Sequence, residues 1–195
     1  MKLSLIAELL ENDFSGSDIE ITGLNTLKNA NEHEVSFVSN SKYIKDIEST
    51  KAAGVIIADY LVKHLPSACI PLVVEHSYLS MALLSKHFTP PIEDETLPIA
   101  VVGEGSKVSP KAVIANGAII GKNCTILAHV YIGAEVVIGD NTIIYPSVTI
   151  YRDCKVGSDC IIHANSVIGS DGFGFATDTK GEHTKIYQNG NVTFA

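Results

Sequence analysis

Four cysteines and seven histidines are the residues of this 195-residue chain best suited to covalent, acid–base or metal chemistry. The cysteines stand at 69, 124, 154 and 160, and no two form a Cys-x-x-Cys pair. That spacing supplies neither a zinc knuckle nor a redox dithiol, and it suits a cytoplasmic protein with reduced thiols. The histidines are His33, His64, His76, His87, His129, His163 and His183. Histidine is the commonest general base near neutral pH, so each is a candidate until its surroundings are known. Gly169, Gly172 and Gly174 imitate a dinucleotide fingerprint, but that motif must open a helix inside a βαβ unit. Here the glycines close a repetitive segment instead.

Composition narrows the classes. The formal net charge is −8, which leaves no basic face for non-specific nucleic-acid binding. Apolar residues make up 46% and charged residues 18%, so there is ample surface to bury and disorder is not expected. Leu3, Ile6, Ala7 and Leu10 share a helical face, and Glu8 interrupts the run. This predicts an amphipathic first helix rather than a signal peptide. No stretch approaches the roughly 18 apolar residues of a membrane span.

The chain has two grammars. Residues 1–88 mix helical spacing with short apolar runs: Ile19–Ile21, Glu34–Val38, Gly54–Ala58 and Ile70–Val74 read as strands, and Tyr43–Thr50 and Tyr78–Phe88 as helices. This predicts a small α/β module. Residues 89–99, with three prolines and three acids, read as a linker. From residue 100 to 195 the rule is a period of six. Starting at Val102, every sixth residue through Ile168 is Val or Ile, twelve in succession. Four places after each stands a small or β-branched residue, including Cys124, Cys154 and Cys160. A period of six fits no helix or heptad and marks a hexapeptide β-solenoid. Three hexads close one triangular coil, so twelve make four coils, a stack of roughly 19 Å at strand spacing. The three repeat cysteines are then buried small residues rather than nucleophiles. After Ile168 the period breaks at Ser170–Phe175, runs through a polar excursion, and a strand pattern restarts at Asn191. No end cap is visible, and an open coil is an unpaired edge. The expectation is a chain truncated at its C-terminus.

An α/β module, a proline-rich linker and hexapeptide repeats together resemble the UDP-3-O-acylglucosamine N-acyltransferase family of lipid A biosynthesis. The most specific pieces are Val35-Ser36-Phe37-Val38-Ser39-Asn40-Ser41-Lys42-Tyr43, Val148-Thr149-Ile150-Tyr151, and Ile168-Gly169-Ser170-Asp171-Gly172-Phe173-Gly174-Phe175. The resemblance implies a left-handed parallel β-helix, assembled as a homotrimer with its acyl-transfer sites between adjacent prisms. It implies transfer of a 3-hydroxyacyl chain from acyl carrier protein, as its 4′-phosphopantetheine thioester, to the 2-amine of a UDP-3-O-acylglucosamine, with no further cofactor and no metal. It carries the uridine site onto Phe37 and Tyr43 as two stacking rings and Asn40 as the uracil edge partner. Two aromatic rings and an amide suit a base with two π-faces and a polar edge. Lys42 is a candidate for the diphosphate and equally a solvated lysine. From the residues alone, Phe37 reads as strand core and Tyr43 as helix-start surface.

The transferred amine must lose a proton, so a histidine base is expected. In the family the base sits two residues after an inward aliphatic, beyond the phenylalanine–glycine loop. His129 is three after Ile126 and His163 one after Ile162, and both precede the loop. His129 is therefore a low-odds catalytic candidate, and the base is expected beyond Ala195, leaving the chain inactive alone. Phe173 and Phe175 read either as a loop at a subunit interface lining the acyl or sugar site, or as core under a loop. Three other readings stay open: a sugar-nucleotide acetyltransferase of the same fold using an acyl-CoA donor, a zinc carbonic anhydrase, and a non-catalytic binding solenoid. The zinc reading needs three histidine ligands, two of them about five residues apart in such enzymes, whereas His129 and His163 are 34 apart.

Overall fold

The computed structural model describes residues 1–92 and 94–195; Glu93, an acid of the predicted linker, lies outside them. The chain divides into two compact units, Met1–Thr89 with Phe173–Asn189, and Pro90–Gly172 with Gly190–Ala195.

The first unit is built on four parallel strands: β1 (Gly23–Leu24), β2 (Glu34–Phe37), β3 (Gly54–Ile57) and β4 (Ile70–Val73), in that spatial order. A parallel sheet is covered on both faces, which is why its inner strands are short apolar runs rather than alternating ones. Val35, Ile56 and Leu72 point to one face and pack with α1 (Leu3–Leu9) and α3 (Ser77–Ser85) through Leu3, Ile6, Met81 and Leu84. Val38, Val55 and Ile57 point to the other and pack with Ile47 of α2 (Ile44–Ser49) and with Leu61. The strand expected at Ile19–Ile21 reduces to one bridge, Lys2 with Glu20. A short 3₁₀ turn, Ser41–Tyr43, leads into α2, so that helix begins one residue later than its spacing predicts.

The second unit is the solenoid. Its twelve two-residue strands are β5 (Val101–Val102), β6 (Lys107–Val108), β7 (Val113–Ile114), β8 (Ile119–Ile120), β9 (Thr125–Ile126), β10 (Tyr131–Ile132), β11 (Val137–Ile138), β12 (Ile143–Ile144), β13 (Thr149–Ile150), β14 (Lys155–Val156), β15 (Ile161–Ile162) and β16 (Val167–Ile168). Every strand pairs in parallel with the third one along, as Ile132 with Ile150 and Ile138 with Val156, giving three sheets and a rung of 18 residues. This is the hexapeptide β-helix that the period predicts. Ile120, Ile126, Ile132, Ile138, Ile144 and Ile150 are buried, as is the residue four places after each, including Cys124 and Cys154. Cys160 is only half-buried, against expectation, because it is the last residue of the stacked column Ser106, Cys124, Thr142 and Cys160.

The corners have their own rule. From Asn123 to Asn165 every sixth residue takes a positive φ of 55–62°: Asn123, His129, Glu135, Asn141, Ser147, Asp153, Asp159 and Asn165. Left-handed backbone turns the chain sharply between two-residue strands, and Asn and Asp tolerate it best. At other corners backbone lies on backbone: a Cβ on Gly139 would stand 2.5 Å from the carbonyl carbon of Gly157, one coil away.

The solenoid resumes after its break. Strand β19 (Thr193–Phe194) pairs in parallel with β14, Val156 opposite Phe194. Those partners are 38 residues apart where a regular rung is 18, so 20 residues are inserted into the coil. The inserted chain forms a hairpin, β17 (Phe175–Thr177) against β18 (His183–Lys185). Sequence reading assigned all of 100–195 to the solenoid, but residues 173–189 belong to the first unit. The physical reason is specific. Ile186 packs into the core beneath α3, the backbone N–H of Tyr187 donates to Ser85 Oγ at 3.0 Å, and Asn189 Nδ2 donates to the Ser85 carbonyl at 3.2 Å.

Candidate nucleotide-binding site

The predicted uridine residues cluster where β2 ends. Phe37 is the last residue of that strand and shares a face with Val35, so its ring leans partly on the first core. Val38 turns to the opposite face, and its carbonyl accepts a 2.7 Å hydrogen bond from the buried Ser77 Oγ. That bond ties the start of α3 to the end of β2. It also places the next residue, Tyr78, against Phe37: the rings are 6.1 Å apart between centroids and tilted by 49°. Sequence reasoning missed Tyr78 as a ring partner, because the contact joins residues 41 apart and no local pattern announces it.

Asn40 caps the 3₁₀ turn, its Oδ1 accepting from the Lys42 backbone N–H at 2.9 Å. Asparagine favours such a position. The cap uses the amide oxygen and leaves Nδ2 as a donor for a carbonyl-bearing base edge. Lys42 is exposed, and Tyr43 closes the turn with 52% of its surface exposed. The structure therefore gathers Phe37, Asn40, Lys42 and Tyr43 on one strand–turn segment, with Tyr78 as the ring that contacts Phe37.

The histidine candidates sit elsewhere. His129 is an exposed corner residue at φ 61°, where its backbone N–H donates to the Lys111 carbonyl at 3.1 Å. His163 stacks on Tyr145, one coil away, with centroids 5.3 Å apart. Among the described residues, no group of three or more His, Cys, Asp or Glu side chains is placed to hold a metal ion. All four cysteines are free. Burial pushes the Cys69 thiol up to about 12, so it is unreactive at neutral pH. Phe173 is 98% exposed and lies against Phe175 at 4.9 Å on the hairpin of the first unit. It is not core under a loop.

Residues 99–134 and 135–170 match the bacterial transferase hexapeptide model, which sets the class as a hexapeptide-repeat protein. Residues 18–87 match the model described as UDP-3-O-(3-hydroxymyristoyl) glucosamine N-acyltransferase, LpxD. UDP-3-O-acylglucosamine N-acyltransferase 1 of Sulfurimonas denitrificans is 62% identical over 98% of this chain and 60% of its own length. The enzymes named UDP-3-O-acylglucosamine N-acyltransferase from Campylobacter concisus and Campylobacter lari are 46% and 47% identical over the same shares. The chain is similar to these enzymes and spans about 60% of the length of the relatives it matches. A solved perosamine N-acetyltransferase from Caulobacter crescentus, in complex with CoA and GDP-perosamine, is 15% identical and covers 77% of this chain and 93% of its own, at a TM-score of 0.20. No helix among the described residues is long and apolar enough to cross a membrane.

Proposed function

We propose that this chain serves an N-acyltransferase that moves a 3-hydroxyacyl group from acyl carrier protein to the 2-amine of a UDP-3-O-acylglucosamine. The observation that carries this reading is the 62% identity to the Sulfurimonas denitrificans relative across 98% of the chain. In this reaction the amine nitrogen attacks the thioester carbonyl, a C–N bond forms, and the C–S bond breaks. A general base takes the proton from nitrogen and the phosphopantetheine thiolate leaves with a proton. The transfer is direct and needs no other cofactor. Buried Cys124 and Cys154 agree with a path that has no acyl-cysteine. His129 is a poor base here, since the corner backbone dictates its position and its side chain is exposed.

In this reading Phe37 and Tyr43 stack the uracil, Asn40 Nδ2 bonds its edge, and Lys42 meets the diphosphate. Assembly as a cytoplasmic homotrimer belongs to the same proposal.

Two assays test it. With the enzyme that this chain serves, acyl transfer from a 3-hydroxyacyl carrier protein should exceed transfer from acetyl-CoA when the acceptor is the UDP-3-O-acylglucosamine; a preference for acetyl-CoA overturns the donor. Titration with UDP should show Phe37→Ala losing affinity by roughly tenfold or more, the scale of one lost base stack, with circular dichroism unchanged. Equal affinity in that variant rejects the uridine site.

A further inference from the structure

The chain contains two Asn-Gly pairs, Asn116–Gly117 and Asn189–Gly190. Such a pair has the atoms to modify itself. The backbone nitrogen of the glycine attacks the side-chain carbonyl carbon of the asparagine, because no Cβ shields that nitrogen. The attack needs a glycine amide with no other partner and a backbone free to turn towards the side chain. The two pairs differ on both counts.

Gly117 sits in a corner of the solenoid. Its N–H donates to the Pro98 carbonyl at 2.6 Å, its φ is held at +77°, and a Cβ there would stand 3.0 Å from the Glu135 side chain and 3.2 Å from Leu97. That corner is packed and its amide is committed. Gly190 is the reverse. Asn189 closes the first unit, and Gly190 opens the return of the chain to the solenoid. The Gly190 N–H makes no hydrogen bond among the described residues, and a Cβ built on it would meet nothing within 4 Å. Both residues of this pair are exposed. The Asn189 side chain holds the end of the hairpin: Nδ2 donates to the Ser85 carbonyl and Oδ1 accepts from Thr89 Oγ1, each at 3.2 Å. Bonds of that length at an exposed site open readily.

We propose that Asn189 is a self-modification site whose reaction loosens the inserted hairpin. The Gly190 nitrogen forms a bond to Asn189 Cγ, the Cγ–Nδ2 bond breaks, and ammonia leaves with the amide proton. Water then opens the succinimide ring at either carbonyl. One opening gives aspartate; the other gives isoaspartate, whose main chain detours through Cγ. Both products have lost Nδ2, and a carboxylate accepts without donating. The bond to the Ser85 carbonyl is therefore gone, and the attachment rests on Ile186 and on the Tyr187 N–H donated to Ser85 Oγ.

The test ages the purified chain in mildly alkaline buffer and maps its peptides by mass spectrometry, with isoaspartate counted by enzymatic methylation. Freeing the Gly117 amide first costs one hydrogen bond, so Asn189 should react about tenfold faster than Asn116 or more. Equal rates, or a faster Asn116, overturn the site. Gly190→Ala should suppress the reaction. The backbone at Gly190 is not left-handed and the space around it is open, so the fold accepts the alanine. Undiminished reaction in that variant overturns attack by the Gly190 nitrogen. The loosening has its own readout. Amide exchange in residues 183–189 should accelerate about fivefold, the worth of one hydrogen bond, in aged wild type and in fresh Asn189→Asp. It should stay slow in aged Gly190→Ala. Unchanged exchange in Asn189→Asp overturns the loosening, whatever the rate of the reaction.

Discussion

Ser36 sits in the middle of β2 with 1% of its surface exposed and an Oγ that has no hydrogen-bond partner among the described residues. It pairs with Val55, whose side chain belongs to the second core, so the hydroxyl is turned into apolar surroundings. A buried hydroxyl without a partner costs its desolvation and returns nothing. Ser36→Ala should therefore leave the fold intact and raise its stability by about 1 kcal/mol, read as a higher denaturation midpoint. A lower midpoint would mean that the hydroxyl has a partner, such as bound water. His129 poses the opposite case, a reactive residue type in a position governed by backbone. Left-handed backbone costs an L-residue about 1–2 kcal/mol, less for asparagine. His129→Asn should keep or raise the melting temperature, as the natural corner residues Asn123, Asn141 and Asn165 suggest. Clear destabilisation would show that the imidazole holds the coil in some other way.

At the scale of elements, α1 is the case where charge matters. Its N-cap Lys2 supplies no capping side chain, and the first turn is capped from a distance by Asp18, whose Oδ1 accepts from the Ser4 N–H at 3.0 Å. That hydrogen bond lowers the Asp18 carboxyl below its usual range. A depressed carboxylate stabilises the fold above its unfolded pKa and loses that contribution as pH falls through the folded pKa. Urea midpoints measured from roughly pH 5 to pH 2 should drop less steeply in Asp18→Asn than in wild type. Parallel curves would show that the cap is energetically silent. The hairpin offers a second test: Ser85→Ala removes the Tyr187 acceptor while leaving the small buried volume filled. Amide exchange in residues 183–189 should accelerate, with the solenoid strands unaffected. These two elements also mark where sequence reading stopped. Helix α1 was visible because Leu3, Ile6 and Ala7 repeat at helical spacing and do bury. The uridine segment was singled out by resemblance, and it forms a strand end followed by an Asn40-capped turn. The destination of Phe173–Asn189 was not visible, since hydrogen bonds to Ser85 and packing by Ile186 join residues about 100 apart without any period. Tyr78 was hidden for the same reason.

Across the whole molecule, two kinds of cooperativity coexist. The first unit gathers distant segments around one sheet, so its stability is shared among all of them. In the solenoid each coil touches only its neighbours above and below, and stability is closer to a sum of nearest-neighbour terms. This makes a graded prediction possible within a single sheet, whose strand order is β16-β13-β10-β7. Ile132 in β10 lies between two paired strands and is fully buried, whereas Ile114 in β7 has a partner on one side only and is half-buried. The substitution is chemically identical at both, so the difference reads the neighbours alone. Ile132→Ala should cost about 2–5 kcal/mol, the usual range for a buried isoleucine truncated in a well-packed core. Ile114→Ala should cost less than half of that, because the site has fewer packed atoms to lose and can relax towards solvent. Denaturant melts followed in the solenoid amides, rather than by a global signal, keep the first unit from masking the difference. Equal costs at the two positions would show that Ile114 is held as tightly by its single neighbouring coil as Ile132 is by two, and that the end coil does not relax towards solvent.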